Sequence, residues 1–483
     1  MTVRLTTAWI NGQPADCVES LPVINPATGE AVASTGLCSA EQISDAISAA
    51  ERAGSEWRRT TGAQRCEILN AVADRLVQEQ ERLARTITDE QGKPLGQSMG
   101  EVLFAVSFFR WFAGQAEQCK ELLIDHPEPN RQYVLQPTPL GVAGLITPWN
   151  FPLALGAKKT ATALAAGCAA VWKPSELTPL SGLAMGPILS ECGVPDGLVQ
   201  IVPAPGSVAG AAFAAHPEMR IISLTGSVAT GQAVMRSAAT QLQNVSLELG
   251  GNAPFIVLAD ADMEQTVSDL VQLKLLVSGQ VCVGANRVFV PRDRLSEMID
   301  CLTARLQSVR LGIGTQPGVD AGPLIHQQAC ETIRRRVDAA CSEGAQVLAH
   351  CAIDDSLPAG GSWLTPTVLS GVTDTMQVAT DELFGPVISL LAYTDVDEAV
   401  YRANDTRYGL AGYVYGTNID QMKAVAEQLE VGIVGVNEWR PLRAEVPFGG
   451  VKQSGIGAEG GTHGIDEFMH WKVLSMPAPT RDE

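Results

Sequence analysis

The stretch GVAGLITPWNFPLALGAKKTATALAAGCAAVWK, residues 141–173, decides the fold of this chain. It opens on the apolar run Val142–Ile146, continues through a helix-compatible segment at 156–167, and ends on a second apolar run, Ala169–Trp172. This order predicts two parallel strands joined by a right-handed helical crossover. Prolines and lysines interrupt the stretch, so it is not a membrane span, which needs about 20 nearly uninterrupted apolar residues.

The same alternation continues on the C-terminal side of this stretch. Three further apolar runs lie before residue 250, at Leu198–Val202, Ile221–Leu224 and Val245–Leu247. Helix-compatible segments separate these runs, at 178–192, 206–215 and 229–241. A second series lies beyond residue 250, at Ala253–Leu258, Val288–Val290, Val387–Tyr393, Tyr413–Tyr415 and Ile433–Val436. Strands that alternate with helices predict an α/β fold with two parallel-sheet domains.

Two segments outside these series have patterns of their own. Residues 63–90 place apolar side chains on one helical face, which predicts an amphipathic helix. The proline-rich stretch 127–139 predicts an extended arm. A chain of 483 residues divides into about three units at roughly 150 residues each. We therefore expect a first domain from 1–120 and 140–250, a second from 251–445, and a small β arm with a tail from 121–139 and 446–483.

Composition and charge narrow the function classes. The formal charge at pH 7 is −19, from 34 basic and 53 acidic residues, so most of the surface repels a polyphosphate backbone. Nucleic-acid binding is therefore a poor hypothesis. Residues 1–12 lack the apolar core of a signal peptide. The 11 cysteines contain no C-x-x-C pair, which favours reduced thiols in a cytoplasm over disulfides or a zinc site.

Four segments directly follow predicted strands of the first series. They are Pro148–Asn150, Lys173–Glu176, Ala204–Gly206 and Thr225–Gly231. A parallel sheet binds its ligands at the carboxyl ends of its strands. The sequence therefore predicts that these segments share one crevice.

Two glycine-rich segments are candidates for nucleotide binding. The G-x-G-x-x-G match at Gly455–Gly460 lies too close to the C-terminus to open a strand–helix–strand unit, so it predicts a tight turn. The segment Thr225–Gly231 is better placed, because its glycines would let the next helix N-terminus approach a pyrophosphate. Glycines after strands are common, so this segment alone does not decide the function.

Two reactive side chains stand out, and each has an ordinary alternative. Cys282 lies in Ser278–Asn286, a run poor in bulky residues, although most cysteines are inert core residues. Glu248 follows a buried strand, where a carboxylate costs free energy unless it serves a purpose. A structural hydrogen bond explains Glu248 equally well. Neither residue by itself separates catalysis from structure.

Six short motifs occur in order along the chain. They are Thr147–Pro152 (TPWNFP), Lys173–Glu176 (KPSE), Leu247–Gly251 (LELGG), Gly279–Cys282 (GQVC), Glu382–Pro386 (ELFGP) and Pro447–Gly455 (PFGGVKQSG). Together they resemble the motifs of the aldehyde dehydrogenase superfamily, and the likeness runs from about Asn25 to Met476. Within that family, Gln280–Cys282 with Ala285–Arg287 is most similar to the succinate-semialdehyde dehydrogenase branch.

The resemblance implies oxidation of an aldehyde to its acid through a covalent intermediate. Cys282 takes the role of nucleophile, forming a thiohemiacetal and then a thioester. The Asn150 side chain and the Cys282 N–H hold the oxyanion, and Glu248 activates the hydrolytic water. Lys159 and Glu459 match positions that relay its proton outward. No metal is required by this chemistry.

The resemblance also implies a nicotinamide cofactor bound by the first, Rossmann-like domain. Lys173 and Glu176 would hold the adenine ribose, Ser227 the pyrophosphate, and Glu382 the nicotinamide ribose beside Phe384. We expect NAD in preference to NADP, because the Glu176 carboxylate accepts from a ribose 2′-hydroxyl and repels a 2′-phosphate. The expected cofactor-binding residues are Ile146, Trp149, Lys173, Ser175, Glu176, Gly206, Gly210, Thr225, Gly226, Ser227, Gly231, Leu249, Glu382 and Phe384.

The substrate positions depart from the succinate-semialdehyde pattern. Arginines of that branch hold the substrate carboxylate by bidentate pairing. The matching positions here are Lys158 and Leu276, and Leu442 stands in place of a serine. Lys158, Arg440 and Arg443 predict a cationic mouth, with solvated surface charge as the alternative. We expect a small aldehyde with an anionic far end, such as succinate semialdehyde; neutral or aromatic aldehydes are the alternative.

Other classes remain as alternatives to this enzyme. One is a structural relative, like the crystallins of the same family, which the joint presence of Cys282, Glu248 and Asn150 disfavours. Another is acyl transfer to coenzyme A, which Glu248 disfavours because a water-activating base would compete with the thiol. By resemblance the arm and the tail are oligomerisation strands, so we expect a homodimer or homotetramer. We expect no nucleic-acid or membrane partner.

Overall fold

The computed structural model describes residues 4–124, 131–351 and 356–477. Residues 125–130 of the predicted arm and 478–483 of the predicted tail lie outside the described residues. The described strands, in chain order, are β1 (Arg4–Thr6), β2 (Ala8–Ile10), β3 (Gln13–Ala15), β4 (Glu19–Ile24), β5 (Ala31–Leu37), β6 (Leu122–Ile124), β7 (Arg131–Pro139), β8 (Val142–Ile146), β9 (Ala169–Lys173), β10 (Val199–Ile201), β11 (Met219–Thr225), β12 (Asn244–Glu248), β13 (Ala253–Val257), β14 (Ala285–Pro291), β15 (Gln346–His350), β16 (Thr367–Ser370), β17 (Val387–Tyr393), β18 (Ala411–Tyr415), β19 (Ile433–Val436), β20 (Gly455–Ile456) and β21 (Met469–Pro477).

Helices connect most of these strands. In chain order the described helices are α1 (Ala40–Trp57), α2 (Gly62–Gln78), α3 (Gln80–Gln91), α4 (Leu95–Gln118), α5 (Ala154–Ala166), α6 (Leu180–Leu183), α7 (Met185–Glu191), α8 (Gly206–Ala215), α9 (Val228–Ala238), α10 (Met263–Leu275), α11 (Leu295–Gln307), α12 (Gln327–Ser342), α13 (Gln377–Thr380), α14 (Val396–Asn404) and α15 (Ile419–Gln428). Ser39 and Thr61 begin α1 and α2 with capping boxes, in which side chain and backbone satisfy each other's terminal groups.

The first large sheet has the strand order β20-β12-β11-β8-β9-β10-β2-β3. Its five central strands are parallel, as the alternating pattern predicts, and every residue of β8 and β9 is buried. Ile146 lies beside Lys173 on one side and Leu224 on the other. Thr225 in turn lies beside Glu248. The carboxyl ends of four neighbouring strands therefore meet at one edge, where the predicted crevice lies.

The second large sheet has the order β15-β16-β17-β14-β13-β18-β19. The five predicted runs of the second series form β13, β14, β17, β18 and β19, all parallel, so the second α/β sheet is confirmed. Strands β15 and β16 were not predicted. Gln346–His350 is an antiparallel edge strand with no buried residue, so it carries no continuous apolar run.

Several local predictions were wrong in detail. The helix predicted over 63–90 is two helices that meet at Glu79, and the segment 178–192 also forms two helices, α6 and α7. The short strands before α1 were not predicted. The pair β2 and β3 extends the edge of the first sheet beside β10, with antiparallel pairing that a search for strand–helix alternation does not detect.

The predicted arm forms a sheet with the C-terminal segment. The whole of β21 pairs antiparallel with β7, from Met469 opposite Pro139 to Pro477 opposite Arg131, and β6 adds a third strand. The proline-rich stretch is therefore extended, as predicted, over its described residues. One face of this sheet carries exposed apolar side chains: Leu122 and Val473, which both lie opposite Leu135, are 51% and 58% exposed.

The hydrophobic cores divide at about residue 250. One core gathers residues between Ala8 and Leu249 together with three C-terminal residues, whereas two further cores begin at Ala253 and Ile256. On this basis we propose the two-domain division at residue 250, with the arm and tail apart. Within the described ranges, none of the helices combines the length and apolar character that crossing a bilayer requires.

Candidate active site

A cavity of about 270 Å³ lies at the carboxyl edge of the first sheet. Three predicted catalytic residues, Asn150, Glu248 and Cys282, line this cavity together. They come from the loop after β8, the end of β12 and the loop before β14. Residues 132 positions apart in sequence, Asn150 and Cys282, thus reach one space because both large sheets present strand ends to it.

Cys282 follows a strained segment of backbone. Val277 and Ser278 have φ values of 50° and 55°, a left-handed region that β-branched residues such as valine rarely adopt. The side chain of Gln97 holds this segment: its Oε1 accepts the Val277 N–H at 2.8 Å, and its Nε2 donates to the Leu275 carbonyl at 3.3 Å. Because strain of this kind persists only where the surroundings fix it, Gln97 helps to set the position of the Cys282 loop.

Glycines allow this loop to approach its neighbours. A Cβ at Gly251 would lie 2.4 Å from the carbonyl oxygen of Cys282. A Cβ at Gly279, whose φ is +75°, would lie 2.4 Å from the carbonyl carbon of Gly385. Side chains at either glycine would push the cysteine loop away from the LELGG and ELFGP motifs, which explains why glycine stands at both positions.

Asn150 is buried and its amide is oriented by the cysteine loop. Its Nδ2 donates to the carbonyl oxygen of Gln280 at 2.9 Å, and its Oδ1 accepts the N–H of Phe151 at 3.1 Å. An amide nitrogen carries two hydrogens, so one N–H remains for a ligand oxygen after the bond to Gln280. The arrangement gives the predicted oxyanion donor a fixed direction beside Cys282.

A buried ion pair that the sequence reasoning missed supports the Asn150 loop. Lys93 Nζ donates to Glu101 Oε2 at 2.7 Å and also to the backbone carbonyl of Asn150. The other oxygen of Glu101 accepts the N–H groups of Leu153 and Ala154, at the start of α5. A carboxylate at a helix N-terminus satisfies free N–H groups and the helix dipole. The Lys93–Glu101 pair therefore connects α4 to the loop that carries Asn150.

The thiol of Cys282 lies on the cavity wall and is half-buried. Burial is the largest influence on it, followed by the carboxylates of Glu382 and Glu248, and these raise the pKa of the Cys282 thiol to about 12. Lys158 acts in the opposite direction. Formation of the reactive thiolate therefore depends on added positive charge or on proton transfer to a neighbouring base.

Glu248 is 2% exposed, and neither of its carboxylate oxygens has a hydrogen-bond partner among the described residues. Burial, together with the nearby charge of Glu459, raises the pKa of Glu248 well above its usual range. The sequence left open whether a structural hydrogen bond explains this residue. No such bond is present within the described chain. A buried carboxylate without a partner lowers the free energy of unfolding, so its presence favours a functional role over a structural one.

Glu459 forms ion pairs with both Lys158 and Lys159 on the cavity wall. Burial alone would raise the pKa of Glu459, but the two ammonium groups outweigh it and hold that pKa at about 2. Lys159 Nζ also donates to Ser223 Oγ at 2.8 Å, and burial lowers the pKa of Lys159. The predicted relay residues Lys159 and Glu459 are therefore in direct contact, and Lys158, predicted to face substrate, is bound to the same carboxylate.

The predicted adenine-side residues lie along the strand ends away from Cys282. Lys173 Nζ, at the end of β9, pairs with Glu176 Oε2 at 2.6 Å. Gly206 begins α8, and neither Gly206 nor Gly210 has a neighbour within 4 Å of the position of an added Cβ. Ser175 is buried in the same segment as Glu176.

The predicted pyrophosphate segment forms the start of α9. Ser227 is the N-cap of α9, and its Oγ accepts the N–H of Thr230 at 3.2 Å. The Thr225 Oγ1 is buried without a hydrogen-bond partner among the described residues. A Cβ at Gly231 would lie 2.6 Å from a Cδ atom of Leu249, so glycine is needed there to let α9 pack against the LELGG motif. Gly226 donates its N–H to the carbonyl of Glu248 at 2.9 Å.

The predicted nicotinamide-side residues line the cavity beside Cys282. Glu382 Oε1 accepts the N–H of Gly251 at 3.1 Å, and burial raises the pKa of Glu382 to about 7. The rings of Phe384 and Trp149 meet edge to face with centroids 5.4 Å apart. Ile146 is buried at the end of β8, one strand from Thr225. Glu382, Phe384 and Trp149 thus share the cavity with the catalytic candidates.

The predicted substrate residues separate into two groups. Lys158, Leu276 and Arg443 line the cavity that contains Cys282. Arg440 does not line this cavity; it lies in an adjoining one, with its guanidinium 5.6 Å from the Trp439 ring centroid. The three cationic side chains that the sequence predicted at one cavity therefore lie in two adjoining cavities: Lys158 and Arg443 in one and Arg440 in the other.

Comparison with known proteins places this site in a family. The family model described as the aldehyde dehydrogenase family matches residues 9–474. A probable NADP(+) succinate-semialdehyde dehydrogenase of Sinorhizobium fredii is 40% identical over 455 residues, covering 94% of this chain and 92% of that protein. A 3-sulfolactaldehyde dehydrogenase of Pseudomonas putida is 38% identical over 97% of this chain and 95% of that protein.

Solved structures agree with the sequence comparison. A betaine aldehyde dehydrogenase of Staphylococcus aureus, crystallised with NAD+, has a TM-score of 0.95 at 33% identity, covering 98% of this chain and 94% of that one. The predicted resemblance to the aldehyde dehydrogenase superfamily, with its succinate-semialdehyde dehydrogenase-like branch, is confirmed. The chain belongs to the aldehyde dehydrogenase family and is an NAD(P)-dependent oxidoreductase acting on aldehydes.

Proposed function

We propose that this enzyme oxidises a small aldehyde with an anionic far end to the carboxylic acid, with Cys282 as nucleophile and NAD preferred over NADP. The observation that carries the chemistry is the convergence on one cavity of Cys282, Asn150 and Glu248, whose carboxylate has no hydrogen-bond partner in the described part of the chain. A structural relative, or acyl transfer to coenzyme A, does not account for a buried carboxylate that lines the same cavity as Cys282 and has no hydrogen-bond partner within the described ranges.

The first chemical step is addition of the Cys282 thiolate to the aldehyde carbon. A sulfur–carbon bond forms and the carbonyl π bond breaks, so negative charge moves to the aldehyde oxygen. The free N–H of the Asn150 amide and the backbone N–H of Cys282 are the donors for this oxyanion. Because the Asn150 amide is already fixed by Gln280, little reorganisation is needed as the charge develops.

Release of the acid needs a water molecule to attack the resulting thioester. Water adds its oxygen to the acyl carbon, one of its protons passes to Glu248, and the carbon–sulfur bond breaks, which releases the acid and returns the Cys282 thiolate. The raised pKa of Glu248 suits a base that must take up a proton and later release it. Lys159 and Glu459 lie next in line as the route by which that proton leaves.

The residues present fit a nicotinamide dinucleotide. The Thr225 hydroxyl is a buried polar group without a hydrogen-bond partner among the described residues, and the α9 N-terminus follows it. The open space at Gly206 and Gly210 admits a ligand close to the backbone. Glu382 would hold the nicotinamide ribose. A nicotinamide held there would supply the hydride acceptor for oxidation of the Cys282 adduct, and this chain's residues would supply placement and charge.

The preference for NAD rests on Glu176. Its carboxylate is partly exposed beside the predicted adenine ribose site and pairs with Lys173. A carboxylate there accepts hydrogen bonds from the ribose hydroxyls and repels a 2′-phosphate. Lys173 reduces that repulsion, so we propose a preference and not exclusion of NADP. The Sinorhizobium fredii relative is named for NADP(+), which makes direct measurement necessary.

The anionic substrate rests on the charge of the cavity wall. Lys158 and Arg443 line the cavity, and Lys159, which does not line it, contacts the same Glu459 carboxylate as Lys158. Glu382 also lines the cavity, but burial raises its pKa to about 7, which reduces its negative charge. The raised pKa of Glu248 reduces its opposing charge. The named substrates of both relatives described above carry an anionic group as well.

Neutral or aromatic aldehydes are the second candidate class. The observation in their favour is the apolar lining, in which Phe104, Phe108, Phe151 and Phe448 face the same cavity. A panel of aldehydes matched in length, followed by formation of reduced cofactor, separates the two classes. The proposal expects higher kcat/KM for the anionic member of each pair, and it fails if neutral or aromatic aldehydes are preferred throughout.

We also propose a homodimer or a dimer of dimers. One face of the arm sheet exposes Leu122, Trp471 and Val473, an apolar surface that a second copy would cover. Light scattering at micromolar concentration is the test, and a stable species of the chain mass of 51.1 kDa would contradict it.

All 11 cysteines are free thiols, which supports a cytoplasmic location that cell fractionation would check.

A further inference from the structure

A second cavity, of about 320 Å³, adjoins the catalytic one, and we call it the outer cavity. The two cavities share five lining residues, all apolar: Phe104, Phe151, Leu276, Val283 and Leu442. These five side chains lie at the boundary between the two cavities, which we call the passage. Leu276 and Leu442 are also the positions where the sequence departs from the carboxylate-binding pattern of the succinate-semialdehyde branch.

Two arginines line the outer cavity beyond this passage. Arg305, on α11, donates from Nη1 to Ser308 Oγ at 2.8 Å, and Arg440 lies with its guanidinium over the Trp439 ring. Within the described part of the chain, neither guanidinium has a carboxylate partner. Guanidinium groups bind carboxylates through two parallel hydrogen bonds, so unpaired arginines in a cavity suit an anionic ligand.

Two carboxylates also line the outer cavity and have to be weighed against the arginines. Glu101 is neutralised by the buried ammonium of Lys93 and accepts two N–H groups of α5. Asp320 accepts the backbone N–H of Arg310 at 2.9 Å. One carboxylate is therefore left to oppose two cationic side chains, and the charge of the outer cavity stays positive.

We infer that the anionic end of the substrate binds in the outer cavity at Arg305 and Arg440, so that the substrate is an ω-oxo acid with an extended apolar chain. This inference rests on the proposed function and adds the length of the substrate to it. The aldehyde reaches Cys282, the methylene chain lies in the apolar passage past Leu276 and Leu442, and the carboxylate emerges beyond it. In the inner cavity, Lys158 is bound to Glu459, which leaves the outer arginines as the freer cations.

The test compares linear ω-oxo acids of four, six and eight carbons with unbranched aldehydes of equal length. We expect the ratio of kcat/KM, acid over neutral, to rise from four carbons to six or eight. In the double variant Arg305→Gln/Arg440→Gln that ratio should fall about tenfold at the longer lengths, the size of one lost charged hydrogen bond. The neutral aldehydes should change less than about twofold, and Arg52→Gln, an exposed arginine of α1, serves as the matched control.

Binding without catalysis gives a second, independent measurement. Octanoate carries the carboxylate and the chain but no aldehyde, and 1-octanol lacks the carboxylate. Calorimetric titration should show octanoate binding weakened about fivefold or more in the double variant, with 1-octanol unchanged. The same titration in Arg52→Gln should match the unmodified protein.

The outcomes separate this inference from the proposed function. An anionic preference that is greatest at four carbons, or that the double variant leaves intact at six and eight, overturns the outer-cavity site and leaves the proposed function standing. Absence of an anionic preference at every length overturns the proposed substrate class and this inference together. Equal loss of octanoate and 1-octanol binding would show that the arginines act on the shape of the cavity and not on the charge of the ligand.

Discussion

Lys158 and Glu459 form an ion pair on the wall of the cavity that contains Cys282. Glu459 also pairs with the neighbouring Lys159, from which it is 300 residues distant in the sequence. The pair combines a position predicted to bind substrate with a position predicted to relay protons. Glu459 stays ionised because two lysines flank it. Burial raises the pKa of Glu248, and the charge of Glu459 raises it further. The Glu459 carboxylate therefore links the positive charge of Lys158, which is predicted to face the substrate, to the proton affinity of the base Glu248.

Replacing Lys158 with methionine should lower kcat/KM for a four-carbon anionic aldehyde, which is too short to reach the outer cavity, by about tenfold. For a neutral aldehyde of equal length the loss should be less than about threefold. The variant removes one of two cations from the wall while keeping the length of the side chain. Lys423→Met, an exposed lysine on α15, is the control and should alter neither value. Equal loss for both aldehydes would assign Lys158 to the proton relay alone.

Cofactor preference should follow Glu176. The unmodified enzyme should have a kcat/KM for NAD at least about tenfold above that for NADP, and Glu176→Ser should narrow the ratio by a similar factor, because the charge that repels the 2′-phosphate is gone. The measurement is steady-state kinetics with both cofactors at saturating aldehyde. A higher kcat/KM for NADP in the unmodified enzyme would refute the preference.

Gln97 should act as a positioning residue for Cys282. In Gln97→Leu the N–H of Val277 loses its buried acceptor, which costs about 1–3 kcal/mol and frees the strained loop. We expect kcat to fall about tenfold while the dissociation constant for NAD, measured by fluorescence titration, stays within about twofold. Gln118→Leu, near the exposed end of the same helix, is the control. Loss of NAD binding in step with kcat would indicate a general structural defect.

Glu248 should reduce stability at neutral and high pH. Folding raises the pKa of this carboxyl, so the folded protein holds its proton more tightly than the unfolded chain does. That stabilising contribution is fully present below the unfolded pKa of about 4.3 and is lost as the pH rises through the raised folded value. Glu248→Gln removes the titrating group. The Tm of the variant minus the Tm of the unmodified protein should therefore increase as the pH rises from about 4 to 8.

Thermal unfolding across that pH range measures the difference, with a gain of at least about 1 °C expected at the upper end. Glu67→Gln, an exposed glutamate on α2, should show a flat difference. A difference that shrinks as the pH rises would contradict the raised pKa of Glu248.

The sequence predicted most of the strands that build the site. Buried parallel strands are short apolar runs followed by glycine or polar segments, and this pattern is visible at β8 to β12. The motifs after them identified Asn150, Glu248 and Cys282 as candidates, and the structure brings these residues to one cavity. Whether they perform the roles that the family implies stays a prediction.

The support around the site was not predictable in the same way. Gln97 contacts Val277, 180 residues away, and Lys93 contacts Asn150, 57 residues away. Both lie in or beside α4, where nothing in the local pattern distinguishes a buried polar residue from a solvated one. The pairing of Lys158 with Glu459 was missed for the same reason, since it depends on how the C-terminal segment folds back onto α5.

The central claim is that the aldehyde becomes a thioester on Cys282 that Glu248 helps to hydrolyse. Intact mass spectrometry of Glu248→Gln, quenched after a single turnover with aldehyde and NAD, tests it most directly. We expect a mass increase equal to the acyl group, located on Cys282 by peptide mapping and absent from Cys282→Ala, which should still bind NAD. Rapid product release by Glu248→Gln with no adduct, or an adduct on another residue, would contradict the account.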